Sequence, residues 1–146
     1  VSREDEGKSL ADAVGALVDQ LESVLARIAA EEEPYKEKIT THVTEKFKES
    51  LGNEVDEARV MQEIAALLLK SDIHEEVTRV AAHLAGVRQT VAQDGTIGKR
   101  LDFFCQELNR EINTIGSKSF VTQINNAVID GKELVERLRE LVRNVE

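Results

Sequence analysis

Groups that could bind a metal ion or transfer protons recur at helical spacing between residues 72 and 83. They are Asp72, Glu76, Arg79 and His83. At about 100° per residue they share one strip of a helix, beside its apolar stripe rather than opposite it. Carboxylates and an imidazole could hold a divalent cation or share general acid–base catalysis, and an arginine could engage phosphate. A structural interpretation fits too, in which Asp72 caps the helix, Glu76 pairs with Arg79 and His83 packs at the boundary.

A second polar face, between residues 102 and 118, is rich in groups that make directed hydrogen bonds. Its members are Asp102, Gln106, Glu107, Arg110, Glu111, Asn113, Thr114, Ser117 and Lys118. Short amides and hydroxyls gain little on an exposed helix, so this face predicts either a packed polar interface or a binding surface. Lys99 and Arg100 precede it and, with Arg110 and Lys118, give a local basic set, for which a solvated or salt-bridged face is the commoner explanation.

The chain as a whole is acidic, with 19 Lys and Arg against 28 Asp and Glu and a net charge of −9 at pH 7. Its field should repel nucleic acid and anionic membranes, so a polyanion would need a locally basic site or a bound metal ion. No segment approaches the roughly 20 apolar residues that span a bilayer, and residues 1–6 lack a signal-peptide pattern, so we expect a cytoplasmic protein that does not contact membranes. The single cysteine, Cys105, excludes an internal disulfide and has apolar neighbours, which predicts a buried, inert thiol. No nucleotide-binding loop, nucleophile elbow, zinc motif or aromatic RNA-binding module is recognisable.

Amphipathic helices must position these polar groups, because apolar residues repeat in alternating steps of three and four through most of the chain. The spacing predicts helices over about 9–30, 34–49, 55–70, 72–92, 97–116 and 119–145. Ser9 is the expected N-cap of the first helix, Gly52 with Asn53 the end of the second, and Gly116 the end or a kink of the fifth. The last helix has Gly131 in its apolar stripe, where a partner backbone could approach closely. We therefore expect an all-α fold of about six amphipathic helices in long antiparallel hairpins or a bundle, with residues 1–146 forming a single domain.

The second polar face also carries a family signature. Gly98-Lys99-Arg100-Leu101-Asp102-Phe103, followed by Gln106-Glu107, Asn109-Arg110-Glu111, Asn113-Thr114 and Ser117-Lys118, resembles the YicC-type family. The resemblance extends to Arg3-Glu4, Glu6-Gly7, Gln62-Glu63, Leu67, Lys70, Asp72, Glu75-Glu76, Arg79, His83, Leu138-Arg139 and Asn144-Val145-Glu146. Residues from about 30 to 53 carry no such motif.

Members of this family, once called stress-induced proteins, are bacterial and are described as metal-dependent endoribonucleases that assemble as hexamers. The resemblance implies a cytoplasmic hydrolase that cleaves RNA with Mn²⁺ or Mg²⁺ and forms a homo-oligomer. It also implies that residues 1–146 are the C-terminal part of a two-domain protein, whose N-terminal domain would be a further partner.

Roles for individual residues follow from the resemblance by motif position and chemical type. It implies metal binding by Asp72, Glu76, Glu107 and Glu111; catalysis by Glu107, Glu111 and His83; phosphate binding by Arg79, Lys99, Arg100, Arg110 and Lys118; and a structural polar network of Asp102, Gln106, Asn113, Thr114 and Ser117. The carboxylates would hold a cation that polarises the phosphate and lowers the pKa of a bound water. The chain departs from the family at Gln123, where an acidic residue is common, and at Asp130-Gly131, which replaces a glutamate–leucine pair.

Two other functions remain open at the level of sequence. The first is a non-catalytic assembly module in which the second polar face mates with another copy or with the rest of the parent protein. The second is an adaptor bundle, which would expose a broad apolar groove for a partner helix.

Overall fold

The computed structural model describes residues 3–52, 54, 56–93 and 97–144, and these residues form six helices with no strand among them. The helices are α1 (Arg3–Ala30), α2 (Tyr35–Leu51), α3 (Glu57–Ser71), α4 (His74–Val91), α5 (Gly98–Lys118) and α6 (Thr122–Arg143). The predicted all-α fold is therefore confirmed over the described part of the chain. None of the described helices is both long enough and apolar enough to cross a membrane.

Four of the helices form a bundle, in which α1 packs against α4 and α6, and α5 packs against the same two. α1 and α4 run antiparallel, because Arg88 near the end of α4 pairs with Asp19 in α1, while His74 at the start of α4 lies 3.2 Å from Glu32, just beyond α1. Fully buried side chains from all four helices fill the core, including Leu21, Leu84, Leu108 and Leu138. Each such side chain stabilises the fold by about 1.5–3 kcal/mol through the apolar area it removes from water. The apolar stripes predicted for these helices thus form the core of the bundle.

The other two helices, α2 and α3, form a hairpin that contacts the bundle near the α5–α6 connection. The ring of Phe120, in that connection, stacks with Tyr35 at 5.8 Å and with His42 at 4.7 Å between ring centroids. The hydroxyl of Tyr35 donates to the carbonyl of Lys118 at 3.5 Å. These contacts fix the start of α2 against the end of α5.

Two helices extend beyond the ends expected from sequence. α1 begins at Arg3 rather than at Ser9, so Ser9 lies within the helix and is not its N-cap. α5 continues through Gly116 to Lys118 rather than ending or bending there. A Cβ at Gly116 would lie 3.0 Å from Val128 Cγ1 on α6, so this glycine allows the two helices to pack closely. Gly52 does end α2 as expected, with a left-handed φ of 60°.

Two other helices begin later than expected because side chains bind nearby backbone groups. The carboxylate of Asp56 accepts a hydrogen bond from Ala58 N at 3.1 Å, so α3 begins at Glu57. Ser119 Oγ accepts from Val121 N at 3.1 Å, and this local turn delays α6 to Thr122. Residues 94–96, between the predicted fourth and fifth helices, lie outside the described residues, as do Asn53 at the predicted end of the second helix and the predicted helical positions Val55 and Val145.

Gly131 on α6 is a point of close approach, although the approaching groups are side chains rather than the predicted backbone. A Cβ there would lie 3.3 Å from Val24 Cγ1 of α1 and 3.5 Å from Ile112 Cδ1 of α5. The small residue therefore lets α1 and α5 both pack closely onto α6.

Cys105 is buried on α5, as the sequence predicts, with 1% of its surface exposed. Burial raises the pKa of its thiol to about 11, because the charged thiolate is poorly solvated there. The thiol is therefore almost entirely protonated near neutral pH, which makes it unreactive.

Candidate functional site

The polar strips of α4 and α5 face one another along the seam between these two helices. Arg79 Nε on α4 donates to Glu111 Oε1 on α5 at 2.8 Å, and Lys118 Nζ on α5 lies 2.7 Å from Glu76 Oε1 on α4. The two strips of polar residues singled out in the sequence therefore converge in one place.

Three potential metal ligands meet at the centre of this seam. One nitrogen of His83 and one carboxylate oxygen from each of Glu107 and Glu111 all lie within 4.8 Å of one another. Glu107 and Glu111 are one turn apart on α5, so a single helix presents both carboxylates to the imidazole of α4. We refer to His83, Glu107 and Glu111 as the ligand triad. Among the described residues, it is the one group of three potential metal ligands that lie this close together.

The chemistry of the ligand triad fits a divalent cation. His83 Nε2 is buried and has no hydrogen-bond partner, which is costly for a polar atom unless something else binds it. Glu111 is 5% exposed, and a buried carboxylate needs a nearby positive charge. A cation bound by His83 Nε2 and the two carboxylates would give the imidazole a partner and would add to the positive charge that Arg79 already supplies to Glu111.

Arg79 supplies positive charge beside the triad in the absence of an ion. Besides its bond to Glu111, its guanidinium lies 3.5 Å from both Glu75 and Glu76. The hydrogen bond with Glu111 is the largest cause of a raised pKa for Arg79, so this side chain stays charged. Its side chain is 45% exposed, which leaves it accessible to an anionic ligand as well.

Glu76 and Lys118 form the part of the seam nearest the start of α4. The side chain of Glu76 is 4% exposed and has Lys118 and Arg79 as its cationic neighbours, while its Oε2 has no hydrogen-bond partner. Lys118 also donates to the backbone carbonyl of Asp72 at 3.1 Å. Glu76 thus lies in an ion-pair cluster next to the ligand triad and is not one of the three converging groups.

Asp72 lies outside the triad, and its side chain binds the backbone instead. Asp72 Oδ1 accepts a hydrogen bond from His74 N at 3.0 Å, as the capping interpretation requires. Glu75, three residues after Asp72, contacts Arg79. The structure therefore separates Asp72 from the carboxylates with which the family resemblance groups it.

The remaining predicted phosphate-binding residues lie on the exposed side of α5. Lys99, Arg100 and Arg110 are all exposed. Arg100 donates to Gln93 at 3.0 Å, and Arg110 lies 3.8 Å from Glu107 of the triad. Arg110 is thus the member of this set placed beside a candidate ligand.

Four of the five residues predicted as a polar network make hydrogen bonds within α5. Gln106 donates to Asp102 at 2.9 Å, and the hydroxyls of Thr114 and Ser117 donate to carbonyls of preceding residues at 3.0 Å. Asn113 is exposed. The hydrogen bonds that the structure records for these residues do not join α5 to another helix.

The two departures from the family signature lie on the α6 side of the molecule. Gln123 accepts a weak hydrogen bond from Lys38 at 3.5 Å, and Asp130 pairs with Arg27 of α1 at 2.7 Å. Neither residue belongs to the ligand triad, so the triad is complete without an acidic residue at position 123.

Comparison with known proteins decides the family. The sequence model of the family described as "Endoribonuclease YicC-like, C-terminal" matches residues 28–146. The chain belongs to this family. It is 36% identical over 148 aligned positions to the probable endoribonuclease YicC of Clostridioides difficile, covering 99% of the chain and 50% of that protein. It is 30% identical over 141 positions to the probable endoribonuclease YicC of Haemophilus influenzae, covering 97% of the chain and 49% of that protein. The chain thus spans about half the length of these curated relatives.

One supporting contact in this YicC-like chain was not foreseen from its sequence. The ring of Phe104 lies 6.0 Å from the imidazole of His83, between centroids, and packs over Gly86 on α4. A Cβ at Gly86 would lie 2.4 Å from Phe104 Cζ. A glycine within a helix, three residues after a candidate ligand, is the signal that could have indicated this close approach.

Gly86→Ala should destabilise this YicC-like domain by about 1–3 kcal/mol, because the added methyl group must displace the Phe104 ring or separate α4 from α5. Chemical denaturation followed by circular dichroism measures the loss. Gly15→Ala on α1 is the matched control, since a Cβ there meets nothing within 4 Å. The control should stabilise the helix by up to about 1 kcal/mol. Equal stability of the two variants would contradict the packing role of Gly86.

Proposed function

We propose that His83, Glu107 and Glu111 hold a divalent cation with which the longer parent protein hydrolyses RNA. The observation that carries this proposal is the convergence of one imidazole nitrogen and two carboxylate oxygens within 4.8 Å, with His83 Nε2 buried and unpartnered. Membership of the endoribonuclease YicC-like family and the names of the two relatives support RNA as the substrate.

The donor set favours Mn²⁺ over Mg²⁺ as the ion. Mg²⁺ prefers oxygen ligands in a strict octahedron and retains several waters, whereas an imidazole nitrogen with two carboxylates suits a softer transition-metal ion. Such an ion, when bound, would polarise a phosphate oxygen and lower the pKa of a bound water.

The cationic side chains around the triad would bind and orient the RNA backbone. Arg79 contacts Glu111 directly and Arg110 lies beside Glu107, so both guanidinium groups are close to any phosphate that approaches the triad. Lys118 continues the same cationic edge along the seam. This local concentration of positive charge would offset the net charge of −9 that otherwise repels a polyanion.

The rest of the parent protein belongs to the same proposal. Because the chain spans about half of its curated relatives, we include a further domain in the proposed active form, and the family resemblance adds self-association of subunits. Sedimentation of the longer protein tests the second point, since a monomeric mass would contradict it.

Titration with Mn²⁺ tests the site on this chain directly. Calorimetry should show one ion per chain, and His83→Ala should lower the affinity at least about tenfold because it removes a ligand. His74→Ala is the matched control, since His74 is exposed and pairs with Glu32 outside the triad. An unchanged affinity of the His83→Ala variant would exclude His83 as a ligand. Full cleavage of single-stranded RNA by the longer protein in a chelator would exclude the metal requirement.

A further inference from the structure

An exposed aromatic ring lies beside the ligand triad. Phe103 on α5 is 54% exposed, and it precedes Glu107 by four residues, which is about 6 Å along the helix axis. The spacing places Phe103 and Glu107 on the same side of α5. Lys99, one turn before Phe103, and Arg110, two turns after it, lie along the same strip and are also exposed.

The position of Phe103 distinguishes it from the other exposed large apolar residues that the structure describes. Met61 and Leu69 lie on α3 and Ile129 lies on α6, and neither helix holds a member of the triad. Phe103 is the aromatic member of this set, and its ring meets Phe104 edge-on at 5.6 Å between centroids. Because Phe104 is packed over Gly86, this contact supports the Phe103 ring from the protein side and leaves more than half of the residue surface in solvent.

We propose that Phe103 stacks on an unpaired nucleobase of the RNA, next to the phosphate that would bind the ion held by the ligand triad. This inference rests on the proposed function and adds a base-binding subsite to it. Stacking on an aromatic side chain suits single-stranded RNA because every base has a π-face, and it requires the base to be unpaired. Lys99 and Arg110 supply positive charge on either side of the ring for the flanking phosphates. Asp102, the carboxylate nearest to Phe103 in the sequence, accepts a hydrogen bond from Gln106 at 2.9 Å.

The subsite requires the RNA to have an unpaired base at the cleaved position. RNA that is single-stranded at the cleaved position can place a base on Phe103, whereas a base held in a duplex cannot. The contact is tolerant of base identity, so we expect a preference for unpaired segments rather than for a particular sequence.

Cleavage of short single-stranded RNA with one abasic nucleotide, placed in turn at each position near the cut, tests this contact. With the longer protein and Mn²⁺, loss of the stacked base should raise KM about tenfold at one position. Phe103→Ala should raise KM for intact RNA by a similar factor and show no further loss on the abasic substrate, since both changes remove the same contact. Phe103→Tyr should restore discrimination, and Phe103→Leu, which keeps apolar bulk without a π-face, should not.

Two controls separate failure of this inference from failure of the proposed function. Ile129→Ala, at a residue 65% exposed on α6, should leave KM unchanged on both substrates. If Phe103→Ala keeps the wild-type KM and abasic discrimination while Glu107→Gln is inactive, the stacking subsite is wrong and the nuclease site stands. If Glu107→Gln cleaves normally, the nuclease site itself is wrong. A change in sedimentation mass of Phe103→Ala, with unchanged discrimination, would instead make this ring a subunit contact and overturn the inference.

Discussion

Glu107→Gln should lower the rate of RNA cleavage by the longer protein by about 100-fold or more, because it removes a charged ligand from the triad while keeping the size and shape of the side chain. The effect on folding should be small. The Glu107 side chain is 25% exposed, and its recorded ion pair is a long one of 3.8 Å with Arg110. Initial cleavage rates on single-stranded RNA with Mn²⁺, and helicity by circular dichroism, are the two measurements.

Glu133→Gln provides the matched control for this substitution. Glu133 lies on α6, is 63% exposed and pairs with Arg137 one turn later, so the same chemical change occurs on a helix that holds no member of the triad. Its cleavage rate should equal that of the wild type. A normal rate for Glu107→Gln would remove Glu107 from the catalytic site.

Lys118→Met should destabilise the domain by about 2–4 kcal/mol at neutral pH, because it leaves the carboxylate of Glu76 buried with only the longer contact to Arg79. The cost is smaller than for a fully buried pair, since the Lys118 side chain is itself 33% exposed. Urea denaturation measures it as a lower midpoint with an unchanged slope.

The double variant Glu76→Gln/Lys118→Met separates the buried charge from the loss of packing. Removing the negative charge as well should recover most of the lost stability, because a neutral amide is far cheaper to bury than an unpaired carboxylate. An equally large loss in the double variant would show that Lys118 stabilises the fold through its methylene groups rather than through its charge.

The helices could be predicted well from the sequence because their apolar stripes are local patterns. Val77, Val80, Leu84 and Val87 repeat every three or four residues on α4, and all four are buried, as packing in the bundle requires. Helix ends were harder to predict, since they depend on single side chains such as Asp56 and Ser119 that bind the backbone. A pattern of hydrophobicity carries no information about these bonds.

The candidate site was predictable only in part. His83 and Glu107 stand out by chemical type and by the family signature, but their meeting depends on how α4 and α5 cross, which spacing within one helix does not specify. The same crossing leaves Asp72, which resembles a ligand by sequence, outside the triad. It also places Phe104 against Gly86 near the triad, a contact that the sequence does not indicate. Residue type and spacing thus indicate candidate ligands, whereas tertiary packing determines which of them lie together.

The contacts along the α4–α5 seam follow one antiparallel register. Glu76 meets Lys118, Arg79 meets Glu111, and His83 meets Glu107 and Glu111, so residue numbers rise on α4 as they fall on α5. Sliding α5 by one turn, about 5.4 Å, would break all of these pairings together. The ion pairs at one end of the seam and the three candidate ligands farther along it therefore depend on the same register. Substitutions in the apolar seam that permit such a slip would separate the three candidate ligands without altering any of them.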